Sequence, residues 1–370
     1  MRERWALGAA AAVVVVALPT LNAWPVGPLA VSDFTLNLFG KFLAYAILAL
    51  GIGLLWGYAG VLSLGHGVFF GLGAYAMGMH LMLEIGTRGV YQNVLPDFMV
   101  WNRVTELPLF WRPFYSASFT VLAAVLVPGV AALAFGALTF RSRIRGVYFS
   151  LITQALALTG WLVFNRNSTN LGGTNGLSGF KTIFGHDLSA PATQRALYVA
   201  TALALVGAYL LCRWIVASPA GKVLVAIRDS ETRVLFLGYS PAAFKTFVFA
   251  VSAVLAGVAG ALYVPQVGII TPAKMGVLPS IEMIVWVAVG GRGTLLGPVV
   301  GAVGVNWLQS VLTTAYPDLW LLVLGSLFVG VVLLVPDGLA GGARRAARAL
   351  GRLGLGTRPA AGAPQTEALR

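Results

Sequence analysis

The side chains able to do chemistry are few, and their spacing does not suit catalysis. The histidines are His66, His80 and His186, with no H-E-x-x-H pair among them; the single cysteine is Cys212; and no G-x-S-x-G or G-x-x-x-x-G-K-[ST] stretch occurs. Zinc-assisted hydrolysis, acyl transfer from a serine elbow and nucleotide binding on a phosphate loop therefore lack their usual signatures. The expectation is a chain that is no enzyme, has no metal site and holds no cofactor. Two other sets of residues remain. One is a charged island, residues 217–245, whose Lys222, Arg228, Asp229, Glu231, Arg233 and Lys245 lie between two apolar runs. The other is a scatter of hydrogen-bonding groups in or beside apolar runs: Ser63, His66, Thr153, Gln154, Asn175, Asn306 and Gln309, with Tyr75 and Tyr148 as walls. Each of these suits either a polar path or an ordinary contact between helices.

The elements that position them are set by composition. With 58% hydrophobic and 10% charged residues in 370, the chain is a multi-span membrane protein rather than a soluble globule. Charge-free runs of spanning length cover 5–32, 42–83, 113–140, 146–165, 246–273, 293–317 and 319–336. A crossing takes about 20 residues, so 42–83 must cross twice. Two more, 196–216 around Arg213 and 281–290 with its neighbours, bring the total to about ten spans, or nine if one is re-entrant. Continuous rather than alternating apolarity makes this an all-α polytopic bundle and not a barrel. Residues 1–340 read as the membrane domain and 341–370 as a basic, partly disordered cytoplasmic tail. The first run reads as a retained span, with a cleaved signal peptide as the alternative. Cys212 falls inside a span and reads as packing.

A net charge of +13 would suggest nucleic acid in a soluble protein; here it reports orientation. With the amino terminus cytoplasmic, roughly two thirds of the lysines and arginines, including the island, Arg292 and the tail from Arg344, obey the positive-inside rule. Both termini are then cytoplasmic. Within the island, Ser218-Pro219 stops one helix, Gly221 frees the chain to turn so that another can start, Val223, Ala226, Ile227, Val234 and Leu237 recur at helical spacing over 222–237, Gly238 caps, and Ser240-Pro241 begins the next helix. Such a helix either lies on the lipid surface or docks on another protein.

Three glycine pairs, Gly53/Gly57, Gly67/Gly71 and Gly297/Gly301, offer small faces for close helix packing. The glycines flanking His66 predict a broken helix there, of the kind that exposes backbone groups to a cavity. Glu282 and Arg292 are ten residues apart, about 15 Å on a straight helix, too far to pair. Glu282 is placed near the outer entrance and Arg292 in a cytoplasmic turn.

The island resembles the coupling loop of permease subunits of bacterial ABC importers of the branched-chain amino acid type. The matching residues are Gly221, Ala226, Ile227, Arg228, Glu231, Gly238 and Lys245, with Asp229 between them; the family's paired alanines are replaced by Thr232-Arg233-Val234. GYAGVLSLGHGVFFGLGAY from Gly57 and GGRGTLLGPVVGA from Gly290 are similar to the same family. LGGTNGLSGFK from Leu171, GYSPAAFKTFVF from Gly238, ALYVPQVGIITP from Ala261 and SIEMIVWVAVGGRGTL from Ser280 resemble its urea branch. The resemblance implies the fold of those permeases, a place in the bacterial inner membrane among its lipids, and no nucleic-acid partner. It also implies a second homologous permease, two ATP-binding subunits that use ATP and Mg, and an external urea-binding protein. Urea is uncharged, so its path is expected to offer hydrogen bonds without fixed charge, from Ser63, His66, Tyr75, Gln154, Asn175 and Asn306. A permease for branched-chain or other amino acids is the alternative; a stand-alone secondary transporter or channel is the outlying one.

Overall fold

The computed structural model describes residues 13–23, 31–142, 144, 146–316, 319–334, 338, 339 and 341. The amino-terminal arginines, Arg143, Arg145 and all of the expected tail except Gly341 lie outside them. Seven of the described helices are long and apolar enough to cross a membrane. They are α1 (Asp33–Gly53, continued as a π-helical turn over Leu54–Tyr58), α2 (His66–Ile85), α3 (Ala117–Arg141), α4 (Val147–Phe164), α5 (Pro191–Ala217), α7 (Pro241–Val267) and α9 (Leu296–Ala315). The island forms α6 (Pro219–Phe236). Two shorter apolar helices, α8 (Val277–Gly290) and α10 (Trp320–Leu334), occupy the remaining expected spans. Of the first run, Val13–Ala17 and Leu18–Ala23 are helical.

Burial sorts the helices into a centre and a periphery. α1, α2 and α7 are mostly enclosed, whereas α3, α4, α5 and α9 leave most of their apolar surface outward, as expected where lipid rather than water surrounds the bundle. Lipid supplies no hydrophobic drive between helices, so the centre is held by close fit. A Cβ on Gly260 of α7 would overlap the Phe70 carbonyl of α2, and one on Gly301 of α9 would overlap the Trp286 carbonyl of α8. All three predicted glycine pairs lie in such contacts: Gly53 against Pro298, Gly57 against the Arg292 carbonyl, Gly67 and Gly71 against Lys274–Met275, and Gly297 against Gly291. Around Phe249 of α7 the rings of His66, Phe69, Phe140 and Phe149 pack edge to face.

Two interruptions shape the interior. The predicted break before His66 is present: helix stops at Tyr58 and resumes at His66. The second follows α7, where a short extended segment and a 3-10 turn (Pro272–Met275) precede α8. Strand β4 (Ile269–Ile270) of that segment pairs antiparallel with β1 (Leu177–Ser178), Leu177 opposite Ile270. A second hairpin, β2 (Thr182–Ile183) with β3 (His186–Asp187), covers the far end of α2, where Arg88 donates to Thr182 Oγ1 at 3.0 Å.

Candidate functional site

Ser218 caps α6 by accepting from the Gly221 N–H, with Pro219 in the first turn, so the helix starts before the expected Lys222 and takes Gly221 into its first turn. Gly238 takes φ +84° with nothing near a would-be Cβ, the left-handed conformation expected of a residue that closes a helix. The helix is not continuous, however. Ser230 is extended (φ −160°, ψ 93°), so 219–229 and 231–236 are two pieces. The buried face departs from the predicted one. Leu224, Ile227 and Val234 are buried, but Ala226 and Leu237 are exposed, together with Lys222, Thr232, Arg233 and Phe236.

Several island residues are tied back to the spans. Glu231 and Lys245 form a 2.8 Å ion pair, largely buried, that fastens the second piece to the start of α7; the ammonium also sits 6.0 Å from the Phe140 ring centre. Arg228 Nη1 donates to the Gly57 carbonyl at 2.8 Å, and its Nε contacts Asp229 at 3.0 Å. Glu231, Lys245 and Arg228 therefore hold the island to the bundle, and Gly221 packs under the Val216 carbonyl. Of the predicted docking set, Ala226, Arg228, Asp229 and Gly238 lie at the surface.

The break itself is carried by α4. Ser150 Oγ donates to the Leu62 carbonyl at 2.8 Å, and Thr153 Oγ1 accepts from the Leu64 N–H at 2.9 Å while donating to Ser150 O. Backbone groups freed by the missing helix are thereby satisfied within the membrane, as they must be. Between the break, Phe140, the start of α4 and Ile227–Glu231 lies a cavity of about 580 Å³ that Lys245 also lines. Residues of the break and of α6 thus line one shared space. Arg292 stacks over Trp56 at 5.1 Å, on the same end as the island, as the sequence predicts.

The predicted path residues do not converge on one place. Ser63 and His66 are buried at the break, with His66 Nε2 2.7 Å from Ser252 Oγ. Gln154 is half-buried on α4. Tyr75 is buried against Phe164, its hydroxyl without a hydrogen-bond partner. Asn175 is exposed in the 3-10 turn Gly173–Asn175, and Tyr148 is exposed on α4. Asn306 lies elsewhere, buried on α9 beside a cavity of about 200 Å³. That cavity gathers Lys41, Tyr45, Lys274, Glu282 and Trp286 from α1, the 3-10 turn and α8. Sequence reasoning singled out Glu282 but missed Lys41 and Lys274, whose only signal was that each is a lone charge within or beside apolar sequence. Among the described residues no cluster of three or more His, Cys, Asp or Glu could hold a metal.

A central set of broken helices, a peripheral set facing lipid and a short amphipathic helix hooked to the break define a multi-pass permease. Residues 34–332 match the family described as branched-chain amino acid transport system, permease component, and the chain belongs to that family. It is 25% identical over 339 residues to the high-affinity branched-chain amino acid transport system permease protein LivM of Escherichia coli K12, covering 86% of this chain and 72% of LivM. LivM of Salmonella typhimurium gives the same identity and coverage. LivH of E. coli K12, from the same transport system by name, is 22% identical over 305 residues, 80% of this chain and 91% of LivH. No solved structure matches.

Proposed function

We propose that this chain is the transmembrane subunit of an ATP-driven importer of the bacterial cytoplasmic membrane, taking cargo from an external binding protein. The observation that carries the reading is α6: it is fastened to α7 through Glu231–Lys245 and to the break through Arg228, yet presents Ala226, Arg233 and Phe236 outward. A helix clamped to the moving parts on one side and open on the other is built to pass on a push from a partner. The partner is an ATP-binding subunit facing the cytoplasm, where ATP and Mg are used; two such subunits and a second, homologous permease complete the assembly. The island, Arg292 and both termini then lie on the cytoplasmic side.

Urea is the cargo favoured by the four sequence stretches from Leu171, Gly238, Ala261 and Ser280. A second reading, a branched-chain or other amino acid, is favoured by Lys41, Lys274 and Glu282 around one cavity, because fixed charges of both signs suit a zwitterion better than a neutral amide. It also agrees with the names of LivM and LivH. Uptake of labelled urea and labelled leucine by the reconstituted complex separates the two. ATP-dependent uptake of either supports the importer, whereas nucleotide-independent uptake by this chain alone would overturn it.

A further inference from the structure

We propose that the cavity between α1, α8 and α9 is a solute-binding station on the transport path. Its ligand is a small solute with an acceptor oxygen at one end and N–H donors at the other. The inference rests on the importer reading above. Position supports it first. Lys41 is 16 residues before Gly57 on α1, so the cavity lies about 24 Å along that helix from the point where Arg228 grips the break. It therefore sits in the half of the bundle away from the island, where cargo would enter.

Size and chemistry agree. About 200 Å³ is the volume of roughly seven water molecules and below the usual range for drug-sized ligands, which starts near about 300 Å³. Ionisable groups inside a membrane protein are costly and normally pair. The ion pairs among the described residues lie elsewhere, at His80–Glu84, Arg228–Asp229 and Glu231–Lys245. Lys41, Lys274 and Glu282 instead share a cavity wall, each only half-buried.

Asn306 provides the independent observation. It is 2% exposed, its amide nitrogen donates to Ala302 O at 2.8 Å in its own helix, and its side-chain oxygen is buried with no partner. Buried acceptors are nearly always satisfied, so this one is left open to a donor that the chain itself does not supply, water or solute. Lysines donate only and an ionised carboxylate accepts only. The complement is an oxygen directed at Lys41 and Lys274, with N–H groups directed at Glu282 and Asn306. Tyr45 and Trp286, with ring centres 4.7 Å apart and planes inclined by 41°, supply an aromatic wall. A urea carbonyl with its two amides satisfies this pattern; so does an amino-acid carboxylate with its ammonium.

The test uses the complete complex in proteoliposomes, with ATP inside and labelled urea or labelled leucine outside. Asn306→Ala and Lys41→Met are each expected to raise KM for the transported solute about tenfold, the loss of one charge-assisted or buried hydrogen bond. Lys41→Gln keeps a donor without charge: a KM near wild type under this change assigns the ligand as neutral urea, and a KM raised as in Lys41→Met assigns it as a carboxylate. Assembly is scored by size exclusion, and if Asn306→Ala does not assemble, the Lys41 variants decide. Wild-type KM in Lys41→Met, or in an assembled Asn306→Ala, overturns the station while leaving the importer reading intact. Wild-type vesicles that take up either solute without nucleotide remove the importer reading and the station together.

Discussion

Replacing Lys245 with methionine should release the second piece of the island from the bundle. The side chains of Lys245 and Glu231 are 10% and 21% exposed, and their charged atoms are 2.8 Å apart. Breaking a buried pair by removing one partner costs about 3–5 kcal/mol, because the other charge remains desolvated. Glu231 is one-fifth exposed and can recover part of its hydration, so about 3 kcal/mol is the appropriate end of that range. At about 1.4 kcal/mol per factor of ten, opening of this piece becomes roughly a hundredfold more frequent. Hydrogen–deuterium exchange of the purified protein, read by mass spectrometry, would resolve it. Amides of residues 231–237 should exchange about a hundredfold faster, while those in the middle of α2 and α7 keep their protection. Exchanging the two residues, Glu231→Lys with Lys245→Glu, should restore most of the protection. Unchanged exchange in Lys245→Met, or a charge swap as damaging as the single change, would refute the clamp.

Other consequences follow from the same contacts. Thr153→Val removes the acceptor for the part-buried Leu64 N–H and should cost about 1 kcal/mol, seen as a lower thermal midpoint; an unchanged midpoint would mean that α4 does not hold the break. Gly260→Val places a branched side chain against the Phe70 carbonyl, a backbone atom that cannot swing aside, and should abolish recovery of monodisperse protein where Gly207→Val, at an open position, does not. Gly238→Val forces a β-branched residue into the left-handed region at about 1–2 kcal/mol, whereas Gly238→Asn should lie close to wild type in thermal unfolding.

Much of the fold was legible because lipid imposes a simple rule: a spanning helix must be apolar for about 20 residues. That rule located every long helix and required the double crossing of 42–83, and glycines around His66 marked the break. It did not locate the ends. α1 begins at Asp33 rather than at 42 and carries Lys41 inward, because one lysine facing a polar cavity does not stop a helix. The stop at Ser218-Pro219 and the cap at Gly238 were readable from local chemistry, whereas the extended Ser230 was not; serine adopts either conformation, and tertiary contacts of Arg228 and Glu231 decide. The pairing of Glu231 with Lys245 and the assembly of Lys41, Lys274 and Glu282 were beyond reach for one reason: they join elements whose mutual packing leaves no local trace in the chain. The scattered path residues show the same limit, since Asn306 borders the cavity between α1, α8 and α9 whereas Ser63 is buried in the break.

The central claim is that α6 is the mechanical link to an ATP-binding subunit, and a site-specific cross-link tests it most directly. A photoreactive residue at Phe236, 88% exposed on the island, should capture an ATP-binding subunit from the assembled complex, with a yield that changes on adding ATP. The same probe at Phe119, exposed at the start of α3 on the opposite end of the bundle, should not. Equal capture from both positions, or capture of lipid alone from Phe236, would contradict the account.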